Sequence, residues 1–157
     1  MRREGELHLT AEFHKYAEGA IAWALEKLGV PDYAGLCYAF VEDAYEFGNG
    51  IVLDGKGCTA KEAADAYGAA ECSGEPPRGA YVFYDCIGAL KGEHRNWGHV
   101  GLSLGDRRVI HAWDRVRIDD LRGVEELTPA PGFEKPRYIG WTPVERILQG
   151  MTVRTDP

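Results

Sequence analysis

The segment His99–Trp113 constrains this chain more than any other. His99 to Leu104 reads as a strand, Gly105-Asp106-Arg107 as a tight turn, and Arg108 to Trp113 as the returning strand. A hairpin of this kind is only marginally stable alone and needs neighbouring strands or helices on its apolar face. The rest of the chain supplies both, in segregated order. Phe13, Ala17, Ile21, Ala24, Leu25 and Leu28 recur at helical spacing and predict a helix over residues 11–28, capped by Thr10 and stopped by Gly29 and Pro31. A second helix runs from Cys37 to Phe47, with Phe40, Val41, Ala44 and Tyr45 as its apolar stripe. A third opens on the capping box Thr59-Ala60-Lys61-Glu62 and ends near Tyr67.

Strands follow the helices. Ala80 to Tyr84 is aromatic and β-favouring, Val116-Arg117-Ile118 adds or extends a strand, and Tyr138 to Trp141 is a short final one. Residues 87–97 and 128–136 read as loops. Thr142-Pro143-Val144-Glu145 reads as a second capping box opening a short last helix. Helices first and an antiparallel sheet afterwards give an α+β architecture. A length of 157 residues suits one domain, and no linker or repeat divides it.

Charge narrows the partners. The net charge of −7 comes without a Lys/Arg block, which argues against a nucleic-acid partner. No apolar run reaches the roughly 18–20 residues of a membrane span, and Met1 to His8 lacks the apolar core of a secretory signal. The expected setting is therefore the cytoplasm, with export by a non-classical route as the alternative, and the four cysteines Cys37, Cys58, Cys72 and Cys86 are expected to be reduced. No pair of them has C-x-x-C spacing.

Three residues carry candidate chemistry. Cys37 stands at a helix start, where free amides and the dipole favour a thiolate and where its own N–H can donate to an oxyanion. His99 and His111 are twelve residues apart and symmetric about Gly105, which predicts side-by-side rings on one face of paired strands. Nucleophile, base and orienter are the three roles such a set can fill. The same residues could instead form a Cys-His-His zinc set, and each alone could be structural. His8, His14 and His94 read as solvent-exposed.

The segments holding these residues resemble the NlpC/P60 family of papain-like cysteine peptidases, most of which cut peptidoglycan stem peptides. Cys37-Tyr38-Ala39-Phe40-Val41 resembles the family's nucleophile helix, Gly79-Ala80-Tyr81-Val82-Phe83-Tyr84 its Gly-Asp-Leu-Val-Phe-Phe strand, and His99-Val100-Gly101-Leu102 with Val109-Ile110-His111-Ala112 its histidine strands. The resemblance spans residues 15–115. It implies a papain-like domain with N-terminal helices on a central antiparallel sheet, and a cysteine peptidase or amidase acting on a small peptide without cofactor or metal. It also implies Cys37 as nucleophile, His99 as base and His111 as orienter, with Tyr33, Tyr38, Trp97, Gly98 and Trp113 facing the substrate. A CHAP-type amidase shares the Cys-then-His order, whereas the permuted acyltransferases place His first. A catalytically idle peptide- or partner-binding protein is the alternative from another class. Leu36 stands where the family has Asp, and Pro31-Asp32-Tyr33-Ala34-Gly35 is shorter than the family's stretch before the cysteine. One carboxylate for a substrate ammonium is thereby missing, so the expected specificity departs from free-amine recognition.

Overall fold

The computed structural model describes the backbone of residues 4–155 and the side chains of residues 11–155. In chain order the elements are α1 (Glu4–Glu26), α2 (Cys37–Asn49), β1 (Ile51–Val52), α3 (Ala60–Tyr67), β2 (Tyr81–Asp85), β3 (Ile87–Leu90), β4 (Glu93–Asn96), β5 (His99–Gly105), β6 (Arg108–Ala112), β7 (Val116–Asp120), β8 (Arg137–Thr142), α4 (Val144–Ile147) and β9 (Thr152–Val153). Five strands form an antiparallel sheet in the order β7-β6-β5-β2-β8. The α+β architecture expected from the sequence is the one observed. Among the described residues no helix is long and apolar enough to cross a membrane.

The sheet is buried on both faces of its middle strands. Tyr81 and Phe83 of β2, Val100 and Leu102 of β5 and Ile110 of β6 pack with Ala17, Ile21, Phe40, Val41, Ala44 and Tyr45 of the helices. The opposite face gathers Val82, Tyr84 and Val109 under Leu121 and Val124, from the turn after β7. Strand alternation thus sorts each strand between a helical layer and a thinner cover. Tyr45 and Tyr84 bury their hydroxyls by donating to the carbonyls of Gly79 (2.5 Å) and Leu121 (2.7 Å).

Several expectations change. The first helix begins at Glu4, not after Thr10, because Glu4, Glu6 and Leu7 are good helix formers with only Gly5 to weaken them. The side chains of His8 and Thr10 lie outside the described residues. Leu25 and Leu28 are exposed: Leu25 steps off the stripe of Ala17, Ile21 and Ala24, and Leu28 lies past the helix end. Residues 87–97 are not a loop; β3 and β4 pair as a hairpin from Ile87↔Asn96 to Leu90↔Glu93. In the first capping box Thr59 accepts from the Glu62 N–H (3.1 Å), but the Glu62 carboxylate takes the Cys58 N–H (2.8 Å). The second box is not formed. Thr142 ends β8 fully buried, α4 starts after Pro143 with no side-chain cap, and the Thr142 Oγ1 has no hydrogen-bond partner.

Two measurements follow from buried polar groups. Replacing an unpartnered hydroxyl by a methyl of like shape removes a desolvation cost, so Thr142→Val is expected to stabilise the fold by about 1 kcal/mol, read as a higher Tm; a lower Tm would show that the hydroxyl has a partner. Glu42 on α2 is pushed up from 4.5 to about 7, by burial first and then by Glu46, against a hydrogen bond from Tyr38. The folded chain therefore holds this proton better than the unfolded chain, and Glu42 opposes folding increasingly as pH rises from 4.5 to 7. Glu42→Gln is expected to raise Tm at pH 8 and to change it little at pH 4.

Candidate active site

The hairpin fixes the two histidines. Asp106 and Arg107 both have positive φ (52° and 63°), the requirement of a two-residue type I′ turn, and Gly105 pairs with Arg108 across it. A bulge between Ser103 and Gly105 then sets Ser103 against Val109 and Leu102 against Ile110. Continued, this register places His111 opposite Gly101, where an added Cβ would meet the His111 Cβ at 3.0 Å. The rings are thus diagonal neighbours rather than directly opposed, because the turn is centred beyond Gly105. They still share a face and touch: His99 Nε2 lies 2.8 Å from His111 Nδ1.

The chain of contacts continues to a residue that sequence reasoning missed. His111 Nε2 lies 2.8 Å from Asp119 Oδ2, and the same oxygen accepts from Arg117 Nε at 2.8 Å. Val109↔Asp119 and His111↔Arg117 are cross-strand pairs of β6 and β7. Period-two alternation from Arg117 was the available signal: it puts 117 and 119 on one face of the strand beside His111. The His111 hydrogen bond holds the Asp119 carboxyl below its usual range, and Arg117 adds to this against the cost of burial.

An ionised Asp119 orders the protons. A carboxylate only accepts, so His111 Nε2 carries the proton toward it. With His111 in its Nε2–H tautomer, its Nδ1 accepts from His99 Nε2–H. His99 is left with its Nδ1 lone pair free, on the side of the ring away from His111. Burial holds His99 well below the ordinary imidazole range, and a charge on His111 would lower it further. Both His111 nitrogens are spent in this chain, which leaves neither for a metal in a Cys-His-His set.

Cys37 opens α2 in the helical layer and lines the same cavity as His99. Leu36 precedes it as the residue at the helix start, with no side-chain cap. The first N–H groups of α2 therefore have no acceptor within the helix. Backbone N–H groups of Val100, Tyr38 and Cys37 face the sulfur and lower its pKa, but burial outweighs them and pushes the thiol up. This corrects the expectation of an acidified resting thiol: the amides are where the sequence placed them, and dehydration wins.

Cys37 and His99 line one cavity of about 420 Å³, with Trp97, Gly98 and Trp113 also in its wall. Trp113 stands edge-on to His99, centroids 5.0 Å apart. Trp97 donates its Nε1–H to the Gly88 carbonyl (3.0 Å), and Arg95 stacks over its ring at 4.5 Å. The Tyr33 hydroxyl donates to Asp43 (2.6 Å), and the ring packs on Trp23 and Phe40. Tyr38 is buried, with its hydroxyl 3.1 Å from the Lys56 N–H. Neither tyrosine is among the residues lining the cavity. Cys86 does line it, and all four cysteines are free thiols.

No family model matches the chain, and neither a curated relative nor a solved structure does.

The proton order has a direct readout. Nitrogen NMR of the imidazoles at pH 7 is expected to show His99 as the neutral Nε2–H form, still unprotonated at pH 6 because its pKa is lowered. Asp119→Asn, whose amide can donate to His111 Nε2, is expected to turn the order around and give His99 Nδ1–H. An unchanged His99 signal in that variant would mean that Asp119 does not set the tautomer.

Proposed function

We propose that this protein is a thiol-dependent hydrolase of amide bonds in peptides, built on a papain-like domain of the NlpC/P60 kind. The observation that carries this reading is the hydrogen-bonded series Asp119–His111–His99 ending on the cavity that Cys37 also lines. Such a series has one chemical use at its free end: it presents a lone pair, held in place, to a neighbouring acid.

The steps follow from that lone pair. The Cys37 thiol gives its proton to His99 Nδ1 as the sulfur attacks the substrate carbonyl. Burial disfavours the charged form of both groups, so proton transfer accompanies the attack of sulfur and the α2 amides take up the developing charge. The new imidazolium is stabilised through His111 by the Asp119 carboxylate. The amide N–H of Cys37 donates to the oxyanion. His99 then protonates the leaving amine, and water, deprotonated by His99, releases the acyl group from sulfur.

Recognition of a free substrate amine has little support in this cavity. Leu36 is half exposed at the start of α2. Asp114 lines the cavity, but Arg115 (2.7 Å) and Arg117 (3.3 Å) already answer its charge. An N-acetylated peptide is therefore expected to have a higher kcat/KM than its free-amine counterpart.

Activity is best found by mass spectrometry of mixed muropeptides and ordinary peptides after incubation. Cys37→Ala is expected to abolish turnover with the fold intact; full activity would sink the mechanism. His99→Ala is expected to cost at least ~10²-fold in kcat. His111→Gln is expected to be milder, since an amide can still accept from His99. Asp119→Asn is expected to cost more than His111→Gln, because it reverses the proton order rather than removing one link. A catalytically idle binding protein would show none of these differences.

A further inference from the structure

Two segments that none of the resembling motifs includes line the cavity beside Trp113. One is the β3–β4 hairpin with Leu90 and Trp97; the other is the loop 128–133, with Pro129, Ala130 and Phe133. The two are joined as a unit. Gly88 of β3 bridges Phe133, the Glu134 N–H donates to the Ile87 carbonyl (2.8 Å), and the Phe133 ring lies where a Gly88 side chain would stand. Trp113 donates its Nε1–H to the Thr128 carbonyl (3.3 Å), which ties this loop to the histidine strands.

The chemistry of this wall is one-sided. Leu90, Trp97, Trp113, Pro129 and Phe133 present carbon, and both indole N–H groups are turned to backbone carbonyls. No lysine or arginine lines the cavity, and its one ionised side chain is Asp114, an anion. Leu90 is 46% exposed, so the wall holds apolar surface that nothing in the fold covers. A volume of about 420 Å³ accommodates one bulky side chain beside a scissile amide.

We infer that the substrate is a neutral peptide or amide bearing a bulky apolar group, aromatic or branched aliphatic, beside the bond that Cys37 attacks, and that Phe133 with the β3–β4 hairpin forms the pocket for that group. This rests on the hydrolase reading and names its substrate class. An anionic residue beside the bond would lose its hydration with no lysine or arginine among the lining residues to meet it. Stem peptides that present a glutamyl carboxylate there are accordingly disfavoured.

Two readouts separate the pocket from the chemistry. The first is protection: alkylation of Cys37 by iodoacetamide at pH 8.5, followed by mass spectrometry, with N-acetyl-phenylalanine amide, N-acetyl-leucine amide, N-acetyl-alanine amide or N-acetyl-glutamate amide present. Protection is expected from the phenylalanine and leucine amides at concentrations at least about tenfold below those needed for the alanine and glutamate amides. The second is turnover of the corresponding N-acetyl 4-nitroanilides, with Cys37→Ala as the blank. The same order is expected in kcat/KM. Phe133→Ala is expected to reduce the phenylalanine-over-alanine preference several-fold in both readouts. Gly88→Ala, whose added methyl displaces the Phe133 ring, is expected to act in the same direction. Equal protection by all four amides, or stronger protection by glutamate, overturns the pocket whatever the turnover shows. Selective protection without Cys37-dependent turnover of any anilide keeps the pocket and overturns the hydrolase reading.

Discussion

The geometry of the candidate site depends on a two-residue turn. Asp106 and Arg107 take left-handed conformations that most residues avoid, and Asp tolerates this better than most. A type I′ turn matches the twist of the strands it joins, so it locks the pairing of β5 with β6. The bulge before Gly105 then offsets the register. A slip of one residue would turn every side chain on β6 to the other face. His111 would exchange places with Ile110 or Ala112, entering the helical core, and the contact with His99 would vanish. The register also places β7, since His111↔Arg117 and Val109↔Asp119 are read from the same β6 strand.

Burial gives the polar series its direction. His99 is 4% exposed, and burial works against a charge on its ring. The half-exposed end of the series bears the charge instead, as the Arg117–Asp119 pair. From there the carboxylate dictates one proton after another toward the cavity. Dehydration also explains why Cys37 and His99 both favour their neutral forms: each is pushed by burial toward the uncharged state, the thiol upward and the imidazole downward.

The cavity is a joint product of segments distant in sequence. The α2 start gives the sulfur, the β5 start gives the base, and the walls come from residues 86–98 and 113–133. The cysteine and histidines thus stand on α2 and the central sheet, whereas much of the remaining wall comes from the β3–β4 hairpin and the loop 128–133.

The sequence by itself determined the α+β order, the cysteine at the start of α2 and the pair of histidines on one face of a hairpin. These are local properties: periodicity of 3.6 or 2, capping residues and a turn of known type. Even their errors were local, since the missed β3–β4 hairpin is polar and Gly-rich and lacks the alternation that marks a half-buried strand. Only the tertiary structure decided that Asp119 completes the series, because that needs the pairing of β6 with β7 and not just the existence of both. It alone set burial against the helix amides at Cys37, because that balance depends on what covers the sulfur. It alone decided that Tyr33 and Tyr38 turn to Asp43 and to the Lys56 backbone while Phe133, from a proline-rich loop, enters the cavity wall. Spacing along a chain fixes which face of its element a side chain takes, but what stands opposite that face is set by how the elements pack.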